Sequence, residues 1–154
     1  MRLEERELER WGEQIGSTVR APVVIALEGR LGAGKSVLAR AIGRGAGVDI
    51  AMPSPSYNLL FRYTTPAGID VVHIDLYRIG ATDELWELGW AQLGEGPEIV
   101  LVEWAERAET FMPDNYWVIR LTVPDDEPLL RDVEVCRVGL PPELPPFPMS
   151  VSIA

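Results

Sequence analysis

Val23-Val24-Ile25-Ala26-Leu27-Glu28-Gly29-Arg30-Leu31-Gly32-Ala33-Gly34-Lys35-Ser36 is the stretch on which the fold turns. Its first five residues are an apolar, β-branched run of the kind that forms a buried parallel strand. After Glu28, the last eight read G-x-x-x-x-G-K-S, the pattern of a phosphate-binding loop. Beyond it, Val37, Leu38, Ala41 and Ile42 recur as a helix spaces its buried face, and Gly43, Gly45 and Gly47 close the segment. Strand, glycine-rich turn and helix in this order predict an α/β fold. Lys35 is the only lysine, the other thirteen basic residues being arginine. A compact point charge on a flexible stem stands where a planar guanidinium would fit poorly.

The loop's chemistry follows from its residue types. Glycines at 29, 32 and 34 allow backbone conformations closed to other residues and a close wrap around an anion. Backbone N–H groups converge at the helix N-terminus, where the dipole favours negative charge. Ala33 and Val37 contribute backbone to this cradle. Lys35 is expected to reach the β- and γ-phosphates, and the Ser36 hydroxyl to coordinate magnesium.

Composition bounds the partners. The 154 residues, 47% hydrophobic, suit one globular domain with a real core. Twenty-four acidic residues against 14 basic ones give a net charge of −10, and such a surface repels a phosphate backbone. Any RNA is therefore expected to be held by another protein. Cys136 is the single cysteine, which excludes a disulfide framework and a cysteine metal cluster. No segment approaches the ~18 apolar residues of a membrane span, and the acidic N-terminus lacks signal-peptide order. A cytoplasmic location is expected.

Further elements follow from pattern. Leu3 to Val19 reads as an amphipathic helix with Leu8, Trp11, Ile15 and Val19 on one stripe. Gly12 and Gly16, four apart, would let it lie close against a neighbour. Residues 57–63 and 69–74 read as strands joined by a turn at 65–68. Thr82 is a candidate N-cap for a helix through Trp90. Residues 98–102 form a second buried strand, and 116–123 with 129–138 an antiparallel pair. Five prolines fall between 141 and 148. The chain thus divides into a domain over 1–138 and a proline-rich tail over 139–154, extended or disordered.

A phosphate loop needs a carboxylate nearby to hold magnesium. Asp75 ends Val71-Val72-His73-Ile74, and Glu103 ends Ile99-Val100-Leu101-Val102. Both emerge where a parallel sheet places its ligand crevice, and spacing alone does not choose between them. His73, two residues before Asp75, shares its face; it either orients a nucleotide or relays a proton, or is a packed, hydrogen-bonded side chain. Ser54 and Ser56 flank Pro55, as phosphate-sensing hydroxyls or as turn residues. Trp86 and Trp90 are core residues or part of a partner surface.

Four blocks together resemble the bacterial TsaE family, also called YjeE. They are Leu27 to Ser36, Ser54-Pro55-Ser56-Tyr57, His73-Ile74-Asp75-Leu76-Tyr77-Arg78, and Val102-Glu103-Trp104-Ala105-Glu106. The resemblance spans about residues 3 to 135. It implies a P-loop NTPase-like single domain with a mixed β-sheet flanked by helices. It also implies an ATPase using ATP and Mg2+ that works with TsaB and TsaD proteins to make threonylcarbamoyladenosine in tRNA. tRNA is then met only through the complex, and hydrolysis is slow in isolation. By the same resemblance, Gly29, Gly32, Ala33, Gly34, Lys35, Ser36 and Val37 bind nucleotide. Ser36 and Glu103 hold the metal, and Lys35, Asp75 and Glu103 serve catalysis. Ser56 stands where the family has threonine. Arg30, Ser36 and Ala105 replace the family's usual aspartate, threonine and proline. A small-molecule kinase and a nucleotide-gated binding protein without useful hydrolysis are the alternatives.

Overall fold

The computed structural model describes residues 1–53, 55 and 59–146. The chain runs β1 (Arg2–Glu4), α1 (Glu5–Thr18), β2 (Val23–Glu28), α2 (Lys35–Ala46), β3 (Leu60–Thr64), β4 (Asp70–Asp75) and α3 (Thr82–Glu87). A 3-10 turn at Trp90–Gln92, β5 (Glu98–Glu103), a 3-10 segment at Ala105–Phe111, β6 (Tyr116–Thr122) and β7 (Leu130–Val138) follow. The seven strands form one mixed sheet in the order β1-β7-β6-β2-β5-β4-β3. Strands β4, β5, β2 and β6 are parallel at its centre; β3 and β7 pair antiparallel outside them, and β1 pairs antiparallel with β7. This is the α/β, P-loop NTPase-like single domain that the sequence predicts.

The two sheet faces are covered differently. Ile25, Leu27, Val71, Ile99 and Leu101 face α1 and α2 in one core; Ala26, Val72, Ile74, Val100 and Val102 face the shorter elements in another. The alternation follows from the two-residue period of a strand. Helices α1 and α2 meet through glycine, as the spacing of Gly12 and Gly16 predicts. A Cβ on Gly12 would sit 2.6 Å from that of Ala41, and one on Gly16 would strike the Ile42 carbonyl.

Two elements depart from the sequence reading. The N-terminal helix begins at Glu5, because Arg2–Glu4 are drawn into an edge strand against β7. Glu4 then caps α1 through a capping box with Glu7, which fixes where the helix starts. The helix expected through Trp90 stops at Glu87. Gly89 enters the left-handed region (φ 78°) and a 3-10 turn replaces the last helical turn.

Beyond β7, residues 141–146 run without regular structure along the α1 side of the domain. Trp117 Nε1 donates to the Pro142 carbonyl at 2.7 Å, and Trp11 Nε1 to that of Pro145 at 3.0 Å. Leu144 packs on the first core. Among the described residues, no helix is long and apolar enough to cross a membrane.

Candidate functional site

The C-terminal ends of the central parallel strands converge on one cavity of about 330 Å³, whose walls include Gly32, Gly34, Lys35, Ser36, Asp75, Glu103, Trp104 and Arg131. Parallel strands place their ligand crevice here. Strand β2 ends at Glu28, and the loop turns through Gly29, Gly32 and Gly34 with φ of 149°, 81° and 106°. A side chain at Gly34 would carry the strain of that left-handed backbone. At Gly29 the need is also steric, since a Cβ would lie 2.6 Å from the Leu121 carbonyl oxygen. Helix α2 starts directly at Lys35, and its first internal bond is Leu38 N–H to the Gly34 carbonyl. The N–H groups of Lys35, Ser36 and Val37 therefore have no partner within the helix.

Register brings the two acids together. Asp75 and Glu103 are paired neighbours on β4 and β5, with Leu27 on the far side of Glu103. Both carboxylates lie on the face that α2 covers, and both are buried. The Ser36 hydroxyl donates to Glu103 at 3.4 Å. Asp75 accepts instead from the backbone N–H of Tyr77, at 2.9 Å. Of the two acids left open by the sequence, Glu103 is the one against Ser36.

His73, on the same face, lies with Nε2 2.6 Å from Glu103 Oε2. An ionised carboxylate only accepts, so Nε2 donates to it and Nδ1 is the ring nitrogen on the other side. That Nδ1 has no hydrogen-bond partner among the described residues. The packed, hydrogen-bonded reading of His73 is the one the structure shows, with Glu103 as its partner.

Lys35 is 5% exposed. Its ammonium donates to the carbonyls of Gly29 and Arg30, the latter at 3.3 Å. Burial pushes its pKa below the ordinary lysine value, opposed by the charges of Glu103, Asp75 and Glu106. The Trp104 ring lies 4.2 Å from the ammonium, measured to its centroid, and stacks on Tyr77 at 4.9 Å. Trp104 holds this position with φ of 60°, a conformation worth about 1–3 kcal/mol of strain for a non-glycine residue. A cation–π contact in a desolvated site offsets up to about 2 kcal/mol.

Sequence reasoning gave Trp104 no role, although it follows Glu103 in the quoted V-E-W block. It also passed over Arg131, which reaches in from β7 to the loop carbonyls of Ala33 and Gly32. An arginine in an alternating strand carries no signal of such a contact. Ser56, expected to sense phosphate, lies outside the described residues, as does Ser54. Trp86 and Trp90 part company: Trp90 is core and donates to the Phe111 carbonyl at 2.8 Å, while Trp86 is 49% exposed and edge-on to Phe111.

The donor set suits magnesium. That ion takes hard oxygen ligands, from one or two carboxylates beside substrate phosphates, and keeps several waters. Ser36 and Glu103 supply a hydroxyl and a carboxylate side by side at the end of the glycine-rich loop. No group of three or more His, Cys, Asp or Glu side chains, the all-protein cage of a softer metal, occurs among the described residues.

The profile of the family described as threonylcarbamoyl adenosine biosynthesis protein TsaE matches residues 3–132. A protein of Nostoc sp. named tRNA threonylcarbamoyladenosine biosynthesis protein TsaE is 36% identical over 118 residues, covering 75% of this chain and 72% of its own. A protein of the same name from Streptomyces coelicolor is 30% identical over 132 residues, covering 83% and 88%. Among solved structures, Bacillus subtilus YdiB superposes with a TM-score of 0.70 at 23% identity, covering 90% of this chain and 84% of its own. That last likeness speaks to the fold alone.

Proposed function

The chain belongs to the TsaE family, and from that premise we propose that it acts in tRNA threonylcarbamoyladenosine biosynthesis as a magnesium-dependent ATPase. The observation that carries the reading is the meeting of Ser36 and Glu103 at 3.4 Å beside a glycine-built helix N-terminus. Loop and hydroxyl belong to one stretch, residues 29–36, and the strand-end acid lies 67 residues further along the chain. Their convergence in one cavity is the arrangement that phosphoryl chemistry on a nucleotide needs.

In this reading the N–H groups of Lys35, Ser36 and Val37, with the loop amides, bind the phosphates. The Lys35 ammonium leaves the loop carbonyls to bridge the terminal phosphates. Ser36 and Glu103 would hold magnesium, which would neutralise phosphate charge when bound. His73 fixes the Glu103 carboxylate through its Nε2–H. Asp75, on the neighbouring strand end, orients the attacking water and accepts its proton. Trp104 roofs the site and excludes bulk water.

Turnover is slow in isolation, and a TsaB–TsaD complex raises it, tRNA being held by those partners. The net charge of −10 supports the division of labour, because this surface repels an RNA backbone. The test is ATP hydrolysis with and without Mg2+, alone and with TsaB, TsaD and tRNA, using Lys35→Ala as the blank. Slow hydrolysis that rises with the partners is expected. Activity indifferent to them would sink partner gating, and labelled phosphate passing to a metabolite would point to a kinase.

A further inference from the structure

We propose that Arg131 is a positioning residue for the nucleotide phosphates: its guanidinium holds two successive peptide groups of the phosphate loop so that amide N–H rather than carbonyl oxygen faces the anion. The inference rests on the nucleotide-binding reading above and adds a residue to it. Arg131 Nε donates to the Ala33 carbonyl at 2.8 Å, and Nη2 to the Gly32 carbonyl at 3.3 Å. In a trans peptide the C=O and the following N–H point in opposite directions. Pulling the Ala33 carbonyl towards β7 therefore turns the Gly34 N–H the other way, into the cradle. The Ala33 N–H, partner of the second held carbonyl, is bound within the loop to the Arg30 carbonyl at 3.0 Å, so one held plane closes the turn and the other presents a donor.

The guanidinium is itself fixed. Nη1 donates to the Pro128 carbonyl at 2.9 Å and the Leu130 carbonyl at 2.7 Å. One planar group thus ties the turn before β7 to the loop after β2, across the width of β6. Only the rigid five-donor fork of arginine can hold four carbonyls in fixed directions; a lysine ammonium has three donors on a flexible stem. All four partners are neutral carbonyls, and no carboxylate pairs with Arg131 among the described residues. Its charge is left to act on the cavity it lines. A Cβ placed on Gly34 would lie 3.8 Å from Nε, so the charge sits directly behind the loop's last glycine.

The experiment compares Arg131→Lys and Arg131→Met with the native chain, titrating Mg-ATP, Mg-ADP and adenosine. The Gly34 amide resonance of the nucleotide-free protein is followed in parallel. Both variants are expected to bind ATP and ADP at least tenfold more weakly, with adenosine affinity unchanged and the Gly34 amide shifted. Arg131→Lys decides the matter alone if Arg131→Met does not fold. Native affinity in Arg131→Lys would overturn the inference, since charge without the fork would then suffice. Equal losses for ADP and adenosine would also overturn it, showing a general loosening. A native chain that binds adenosine phosphates no better than Lys35→Ala would instead overturn the nucleotide reading itself.

Discussion

The two faces of the sheet are built by different rules. On one, two long helices lie against each other through glycines, and the strand residues beneath them end in His73, Asp75 and Glu103. On the other, a six-residue helix and two 3-10 segments cover the strands, leaving Trp86 half in solvent. Close helix contact fixes α2 against the sheet and so fixes where Lys35 and Ser36 stand relative to the strand ends. The irregular face has no such duty. Precision is concentrated where the phosphate cradle needs it, and substitutions should be felt accordingly.

The largest effect is expected at the head of α2. Lys35→Ala removes the only lysine and, in the proposed function, the charge set against the terminal phosphates, so ATP hydrolysis should fall by about 10²–10³-fold, as when a charge-stabilising donor is removed. Thermal unfolding should change little, because the same substitution also removes a buried charge. A folded Lys35→Ala protein with native turnover would detach function from the helix-covered face altogether.

Next in size is a change far from the cavity on the same face. Gly16→Ala gains helix propensity of about 1 kcal/mol, but its Cβ would strike the Ile42 carbonyl and come within 2.7 Å of the Ala46 amide. Backbone cannot step aside as a side chain can, so overpacking of about 3 kcal/mol leaves a net loss of about 2 kcal/mol. For a domain of this size that lowers Tm by about 4–8 °C, measurable by calorimetry. Unchanged stability would show that the two helices are free to slide, and the contrast between faces would weaken. On the irregular face, Trp86→Ala removes a half-exposed ring and one edge-on contact with Phe111, for a loss of about 1 kcal/mol or less.

How far the sequence could be read follows the same division. The loop, its helix and the strands ending in Asp75 and Glu103 are local patterns: a motif, a period and an acid at the end of an apolar run. The glycine pair of α1 is legible because four-residue spacing has one steric meaning. The remainder depends on partners distant in the chain. Arg2–Glu4 look helical until β7 offers an unpaired edge. Gly89 ends a helix that the tryptophan spacing would have continued. Arg131 acts through backbone carbonyls, which leave no period or motif, and the V-E-W block that contains Trp104 does not spell out its ring contact with Lys35. Geometry also separates two acids that spacing alone leaves equal, by setting Ser36 against Glu103.

The smallest expected effect is a matter of pH, and it tests whether buried charge also belongs to the helix-covered face. Burial holds the Lys35 pKa below its ordinary value, so the folded protein loses that proton before the unfolded chain does. Charged Lys35 therefore costs stability at neutral pH, and the cost fades as pH rises through the lowered value towards the ordinary one. Tyr63 works the other way. Burial raises the pKa of its phenol, so its contribution is whole below the ordinary tyrosine value and is lost as pH rises through the raised one. Denaturant midpoints between pH 8 and pH 11 should thus diverge in two variants. Lys35→Met removes a rise and should make the alkaline decline steeper, whereas Tyr63→Phe removes a loss and should make it shallower. Parallel curves for both would mean that the ammonium, held by the Gly29 and Arg30 carbonyls and the Trp104 ring, is as well solvated in the fold as in water.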